Sequence, residues 1–424
     1  MKAIVKDTAT LVGGNMWAQA IGMLSYLLLA RLFTPRQFGV YNIFYSYIEV
    51  LIIISTCKYE MAVVRADNDR EAVAVSRFAL RLNAVVSIVL LTVTALLVAF
   101  DALPGKSDAL GLLALLIPVM VFFCGTTRVY AGLFNRFKLF RPIAVSEMVT
   151  ATSGALLKIL FGLLQRVSDA MSSVFGVLGL PLGTVLGKMA GNVNYLMRLQ
   201  QLSLPKDITR RERCIAAAKH RNFPLYTMPK DWINSFSYNL PLLWMALHFD
   251  KAEVGLFAMA LTFCLRPVNI LNNAFERIFY VRVMEKVRNG KSVWSDMWRL
   301  TGGLSAVALP VMVLLFFFAE PLCVLLFSSK WTGCGFYMRC LLPWVFVVLS
   351  ASSVSFLANV FNRQRAEFLF FLVLLVLRVV SLSYGIRCHD FQLGILLFSL
   401  TSAVVFLALL VWYLLLVLRY ERSR

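Results

Sequence analysis

The sequence predicts an all-α integral membrane protein of about twelve transmembrane helices in two parallel six-helix repeats. Three observations carry that prediction. First, 60% of the 424 residues are hydrophobic and the mean hydropathy is +0.76, more than a wet globular surface tolerates. Second, apolar runs able to cross about 30 Å of hydrocarbon, roughly 17–25 residues each, make up most of the chain. Third, the chain repeats itself half its length apart. "FTPRQFGVY" at Phe33–Tyr41 is answered by "FDKAEVGLF" at Phe249–Phe257, and "LFNR" at Leu133–Arg136 by "VFNR" at Val360–Arg363.

The runs begin near Leu11, Gln37, Leu80, Leu110, Ile143 and Met171, then near Leu225, Val254, Leu300, Tyr337, Phe368 and Phe391. The first follows Lys2 and Lys6 and continues to Leu29. It is longer than a signal-peptide apolar core and lacks a small-residue cleavage site, so it reads as a retained helix. The second and eighth are each entered through one copy of the long motif. In the sixth, Gly179, Gly183, Gly187 and Gly191 recur every fourth residue, a spacing that lets a neighbouring helix approach closely. The longest polar stretch, "RLQQLSLPKDITRRERCIAAAKHRN" from Arg198 to Asn222, joins the halves and has room for an amphipathic surface helix. The expected division is an N-terminal lobe 1–197, a cytoplasmic linker 198–224 and a C-terminal lobe 225–424. Six helices is an even number, so both lobes enter from the same side as parallel repeats and leave a cleft between them. No loop is long enough for a folded extramembrane domain, which argues against an enzyme.

The eight cysteines lack CxxC spacing, and Cys57, Cys124, Cys264 and Cys323 lie in or beside apolar runs. They suggest no metal site and no disulfide framework, although a disulfide among Cys334, Cys340 and Cys388, near loops of one side, stays open. No cofactor is implied.

The net charge of +20 is mostly topology. The even-numbered loops and both tails hold 29 of the 42 basic residues: Lys2 and Lys6, five from Lys58 to Arg81, Arg136, Lys138 and Arg141, eight from Arg198 to Lys230, six from Arg277 to Arg299, then Arg363, Arg365, Arg419, Arg422 and Arg424. The odd loops hold eight: Arg31, Arg36, Lys106, Arg166, Lys251, Lys330, Arg339 and Arg387. The positive-inside rule then puts both termini in the cytoplasm, and the charge is no nucleic-acid footprint.

Five basic residues belong to no loop: Arg128, Lys158, Lys188, Arg266 and Arg378. Each costs about 2.5–3.5 kcal/mol at mid-bilayer on insertion scales, so each needs a partner, water, or a snorkelling route to the head groups. Lys188 and Arg266 lie deepest and point to a water-filled cavity. Acidic residues at comparable positions are fewer: Glu49, Glu147 and Glu320. Glu49 falls one position from the repeat equivalent of Arg266, across the expected cleft, where a structural salt bridge is the simpler reading and an ion-coupling site the functional one. The basic excess favours an anionic substrate. Tyr41, Phe44 and Tyr45 follow an i, i+3, i+4 pattern leading to Glu49; such rings stack on sugars, or simply pack.

Several stretches together resemble a known family: "LLLARLFTPRQFGVYNIF", "KYEMAVVRADNDREA", "FNRFKLFRPIAVSEMVTA", "NFPLYTMPKDWINSFSYNLPLLWMALHFDKAEVGLFAMALTFCLRPVNIL" and "FYVRVMEKVRNGK". In order and spacing they look like bacterial oligosaccharide flippases, the polysaccharide-transport branch of the multidrug/oligosaccharidyl-lipid/polysaccharide exporter superfamily. The resemblance runs from Met1 to about Arg365 and more loosely beyond. It implies a MATE-like V-shaped bundle, with a cavity lined by the first, second, seventh and eighth helices and alternating access. It also implies an undecaprenyl-diphosphate-linked oligosaccharide carried from the cytoplasmic to the periplasmic leaflet of the inner membrane, for O-antigen or exopolysaccharide synthesis. The implied partners are the lipid bilayer and the pathway's polymerase and chain-length regulator. Where family members often have Arg-Tyr-Glu, this chain has Lys58-Tyr59-Glu60, which keeps the charge but loses the guanidinium fork. Related precursor flippases use arginines in the first helix, for which Arg31, at the outer end, is the one candidate. The competing function is an ion-coupled multidrug or small-molecule exporter of the same superfamily, for which acidic rather than basic residues are expected deep in the cleft.

Overall fold

The computed structural model describes residues 2–100, 108–199, 204–205, 207–361 and 363–423. Lys106, Lys206 and Arg424, counted above among the loop and tail charges, lie outside the described residues. Among those described there are fifteen α-helices and no strand. In chain order they are α1 (Lys2–Leu32), α2 (Pro35–Thr56), α3 (Tyr59–Arg65), α4 (Asp69–Ala99), α5 (Asp108–Arg136), α6 (Phe140–Leu164), α7 (Asp169–Leu199) and α8 (Arg210–Lys219). There follow α9 (Met228–Met245), α10 (Lys251–Arg288), α11 (Trp294–Phe327), α12 (Cys334–Ser353), α13 (Leu357–Val360), α14 (Gln364–Arg387) and α15 (Phe391–Ser423). All but the short α3, α8 and α13 match the twelve predicted runs one for one. Ten are long and apolar enough to cross a membrane; of the other two, α1 has a shorter apolar part, Trp17–Leu32, and α9 has 18 residues. The protein is a multi-pass, all-α membrane protein.

The long repeated motif turns out to be a helix start. Thr34 caps α2: its hydroxyl accepts from the Gln37 amide, the Gln37 side chain accepts from the Thr34 amide, and Pro35 takes the first turn, where no amide is needed. Asp250 holds the equivalent N-cap of α10, in extended backbone conformation. In both copies the aromatic that closes the motif, Tyr41 or Phe257, is buried.

The chain divides into two compact units, Met1–Asn239 and Leu240–Arg424. Their internal packing repeats. In the first unit α2 and α4 pack on α5, while α5 and α6 pack on α7. Six spans later, in the second, α10 and α11 pack on α12, while α12 and α14 pack on α15. Lipid exposure repeats as well, since α4 and its counterpart α11 each bury only 11% of their spanning window. The first unit adds α1 against α6.

The stretch expected to join the halves is docked rather than free. Ile208, Ala216, Ala217 and Phe223 enter one apolar cluster with Tyr59, Ala62, Val63 and Val73. Charge then fixes the register. Arg70 meets Glu212 at 2.8 Å, Lys219 meets Asp67 at 2.6 Å and Glu71 at 2.9 Å, and His220 Nε2 lies 2.8 Å from Glu71. The hydrogen bond from Arg70, followed by one from the Thr209 amide, holds the Glu212 carboxyl down to about 2, and Lys219 lowers that of Asp67.

Candidate functional site

The glycine ladder of α7 decides where the intramembrane charges of the first unit go. A Cβ on Gly187 would stand 2.6 Å from Gly154 Cα, one on Gly191 would stand 2.0 Å from Thr150 Oγ1, and one on Gly183 would stand 2.6 Å from Lys158 Cγ. The α6 and α7 backbones therefore touch, which no other residue at these positions permits. Two further bonds fix the helix around Lys188. Asn194 donates to Ser146 at 2.7 Å, and Asn192 to Thr127 at 3.0 Å.

Lys188 Nζ stands 3.9 Å from Glu147 Oε1, a contact at the limit of an ion pair. Cys124 on α5 lies in electrostatic reach of Lys188, Arg128, Glu147 and Glu49, which ties these charges into one neighbourhood. Arg128, one turn beyond Cys124, is half-buried, and its Nη1 is enclosed without a hydrogen-bond partner among the described residues. An enclosed guanidinium nitrogen is costly until something accepts its hydrogens. Lys158 instead engages Tyr41: its ammonium is 3.4 Å from the phenol oxygen and 5.3 Å from the ring centroid, and Thr184 donates to the same oxygen at 3.2 Å. Tyr45 lies one turn on, with its ring centroid 6.2 Å from that of Tyr41. Glu49 accepts from Asn239 at 3.1 Å, and its carbonyl accepts from Ser235 at 3.1 Å.

The remaining expected site residues are placed differently. Arg31 is exposed at the end of α1, where its carbonyl accepts from Arg166. Arg378 is 2% exposed: its guanidinium lies 4.6 Å from the Phe398 centroid and 5.0 Å from that of Trp344, and Nε donates to Ser402. Side chains of α12 and α15 thus enclose it. Glu320 pairs with Arg339, a structural bond between α11 and α12. Arg266 is exposed on α10 of the second unit. In the aromatic stripe Phe44 is 1% exposed and Tyr41 is buried, because α4, α5 and α7 enclose α2; Tyr45, at 39%, keeps an accessible face. All eight cysteines are free, so the disulfide left open above does not form.

Sequence reasoning passed over Ser235 and Asn239, whose i, i+4 spacing in the apolar stretch of α9 was the available signal. It noticed Lys58 without a role. Lys58 and Cys57 both adopt left-handed backbone, φ 62° and 46°, a strained reversal between α2 and α3, and the Lys58 ammonium meets Asp231 at 2.8 Å. In the second unit a cavity of about 500 Å³ opens between α10 and α11, lined by Phe275, Phe279, Arg282, Asp296, Arg299, Leu300, Gly303, Leu304 and Val307.

Comparison with known proteins fits this architecture. The family described as "Polysaccharide biosynthesis protein" matches residues 28–335. The succinoglycan biosynthesis transport protein ExoT of Rhizobium meliloti (strain 1021) is 22% identical over 315 residues, 72% of this chain and 58% of that protein, so this chain spans somewhat over half the length of that relative. Among solved structures, the fold resembles the lipid II flippase MurJ in an inward closed conformation, with a TM-score of 0.72 at 13% identity, covering 97% of this chain and 90% of that one. It also resembles an inward-facing multidrug resistance MATE family transporter of the MOP superfamily, with a TM-score of 0.69 at 13% identity, covering 96% and 99%.

Proposed function

The chain belongs to the polysaccharide biosynthesis protein family, and from that premise we propose that it flips an undecaprenyl-diphosphate-linked oligosaccharide from the cytoplasmic to the periplasmic leaflet of the inner membrane by alternating access. The observation that carries this reading is Arg128, whose enclosed Nη1 has no hydrogen-bond partner among the described residues, with Lys188 in the same charge neighbourhood around Cys124. A diphosphate entering a low-dielectric span sheds its water, and fixed positive charge offsets that cost. Arg128 supplies a planar donor fork, Lys188 a mobile point charge that Glu147 holds loosely, and Tyr45 an accessible ring for a sugar face. Arg266, exposed on α10, is the candidate cation of the second unit. In this reading both termini are cytoplasmic, which the charge distribution supports, and the polymerase and chain-length regulator of the pathway receive the product.

A small-molecule exporter remains the second reading, and Glu49 and Glu147 are the groups it would use for a cationic drug. Among the intramembrane charges of the first unit the basic Arg128, Lys158 and Lys188 outnumber the acidic Glu49 and Glu147, which works against it.

The test is glycan export by cells whose variant protein is present at wild-type abundance. Losing one charge-assisted hydrogen bond costs about 1.5–3 kcal/mol, or about 10- to 100-fold. Arg128→Ala should therefore lose export by that factor and Arg128→Lys should keep part of it, while Lys188→Ala and Arg266→Ala also fall. Normal export by Arg128→Ala overturns the cationic anchor.

A further inference from the structure

A second group of arginines lies on α4 and α8. Arg77 and Arg81 sit four residues apart on α4, so they share a face, and Arg210 and Arg213 sit three apart on α8, the helix that packs against α4. Arg213 is the unusual member. It is 7% exposed, its guanidinium makes no hydrogen bond or ion pair among the described residues, and its Nε is fully enclosed. Burial, and after it the like charge of Arg81 with those of Arg77 and Arg210, press it below its ordinary pKa. The neighbouring acid, Glu212, is committed to Arg70 and Thr209. Arg77 donates to the Pro205 carbonyl, at 2.8 Å, and Arg81 and Arg210 are exposed. Left alone, this arrangement opposes folding, since buried charge is stable only when paired.

Its position says what pairs it. One turn beyond Arg81, about 6 Å along the axis, α4 begins a lipid-facing stripe, with Val85 58%, Ile88 62% and Val89 54% exposed. On α8 Ile215 is exposed beside Arg211, an apolar side chain at the same boundary. The arginines thus stand where a helix leaves the polar loops and enters hydrocarbon, the level of phosphate head groups.

We propose that Arg77, Arg81, Arg210 and Arg213 form a binding site for a phosphate or diphosphate ester at the membrane boundary, on the α4–α8 flank of the first unit. It is separate from the Arg128–Lys188 neighbourhood and does not depend on the flippase reading. The enclosed Arg213 is the anchor, and the exposed Arg81 and Arg210 close around the anion from the two helices. A filled site ties α8 to α4 and so fixes the linker on the first unit.

The test follows the thermal unfolding of the purified full chain with two probes: sodium pyrophosphate in lipid-stripped detergent, and phosphatidylglycerol against phosphatidylcholine in nanodiscs. The variants are Arg213→Gln and the double variant Arg81→Gln/Arg210→Gln, whose exposed side chains have little folding role. The wild type should be stabilised by an anionic probe, and affinity should fall about tenfold for each arginine removed. Stabilisation by phosphatidylglycerol alone assigns the site to a lipid head group, by pyrophosphate alone to a soluble phosphate ester, and by both to the phosphate group from either source. Without any anion, Arg213→Gln should melt no lower than the wild type, because it removes an uncompensated charge. No response to either probe, an equal response in the double variant, or a lower melting point for Arg213→Gln in anion-free detergent overturns the proposal.

Discussion

Gly187→Ala adds one carbon where α6 and α7 touch. That carbon would stand 2.6 Å from Gly154 Cα, 2.8 Å from Gly154 N and 3.0 Å from the Thr150 carbonyl oxygen, and all three are backbone atoms. No rotamer relieves the clash, so the helices must separate until the carbon–carbon contact reaches about 3.5 Å, an opening of roughly 1 Å. Overpacking of this kind costs about 1–3 kcal/mol. For a unit of this size each kcal/mol lowers the melting temperature by about 2–4 °C, which predicts a fall of about 2–12 °C. Gly303→Ala on α11 is the control: its added carbon meets nothing within 4 Å, so the ordinary gain of about 0.5–1 kcal/mol for replacing a helical glycine applies. Melting of the two purified variants beside the wild type, in one detergent, reads both signs. If Gly187→Ala melts with the wild type, the backbones are not in contact and the placement of Lys158 and Lys188 loses its support.

Glu49→Gln keeps an oxygen for the Asn239 amide but removes a charge, so substrate binding in liposomes should hold or tighten while gradient-driven flipping falls; unchanged gradient-driven flipping reduces Glu49 to a structural part. The folded pKa of Glu212 lies below its usual 4.5, at about 2, so its contribution to docking α8 is complete above pH 4.5 and is lost as the pH falls from there towards 2. Hydrogen exchange of α8 against pH should show protection lost in that window for the wild type and already reduced at pH 7 for Glu212→Gln. Reporter fusions after Arg166 and Lys330 should read periplasm and those after Asp67 and Lys291 cytoplasm; one inversion breaks the topology.

How legible was this in the sequence? The spans were, because crossing hydrocarbon demands unbroken apolar runs that nothing else in the chain imitates. The glycine ladder was too, since a fourfold glycine spacing has few uses besides close approach. Tertiary neighbours were not. Arg378 and Arg128 look alike as lone arginines in apolar helices, and only packing shows one sealed, 2% exposed, between Trp344 and Phe398 and the other half-buried. Composition marks the linker as polar with room for a surface helix and does not say where it docks. Its charges, however, pair with Asp67 and the first turn of α4, more than a hundred residues away, and long-range complementarity leaves no local trace. Thr209 and Glu212, three residues apart as a capping box requires, were the one local sign that a helix begins there.

The docking of the linker also sets an order of events during synthesis. The charged partners of α8, Asp67, Arg70 and Glu71, are made before it, and Asp231, Ser235 and Asn239, which also bond within the first unit, come soon after. At about 5–20 residues per second the ribosome takes roughly 10–40 s more to make the second unit. Helices settle within far less time than that, so the first unit can close on itself, clasp and all, while the second is still being threaded into the bilayer, and the later repeat folds after a copy of its own plan is finished.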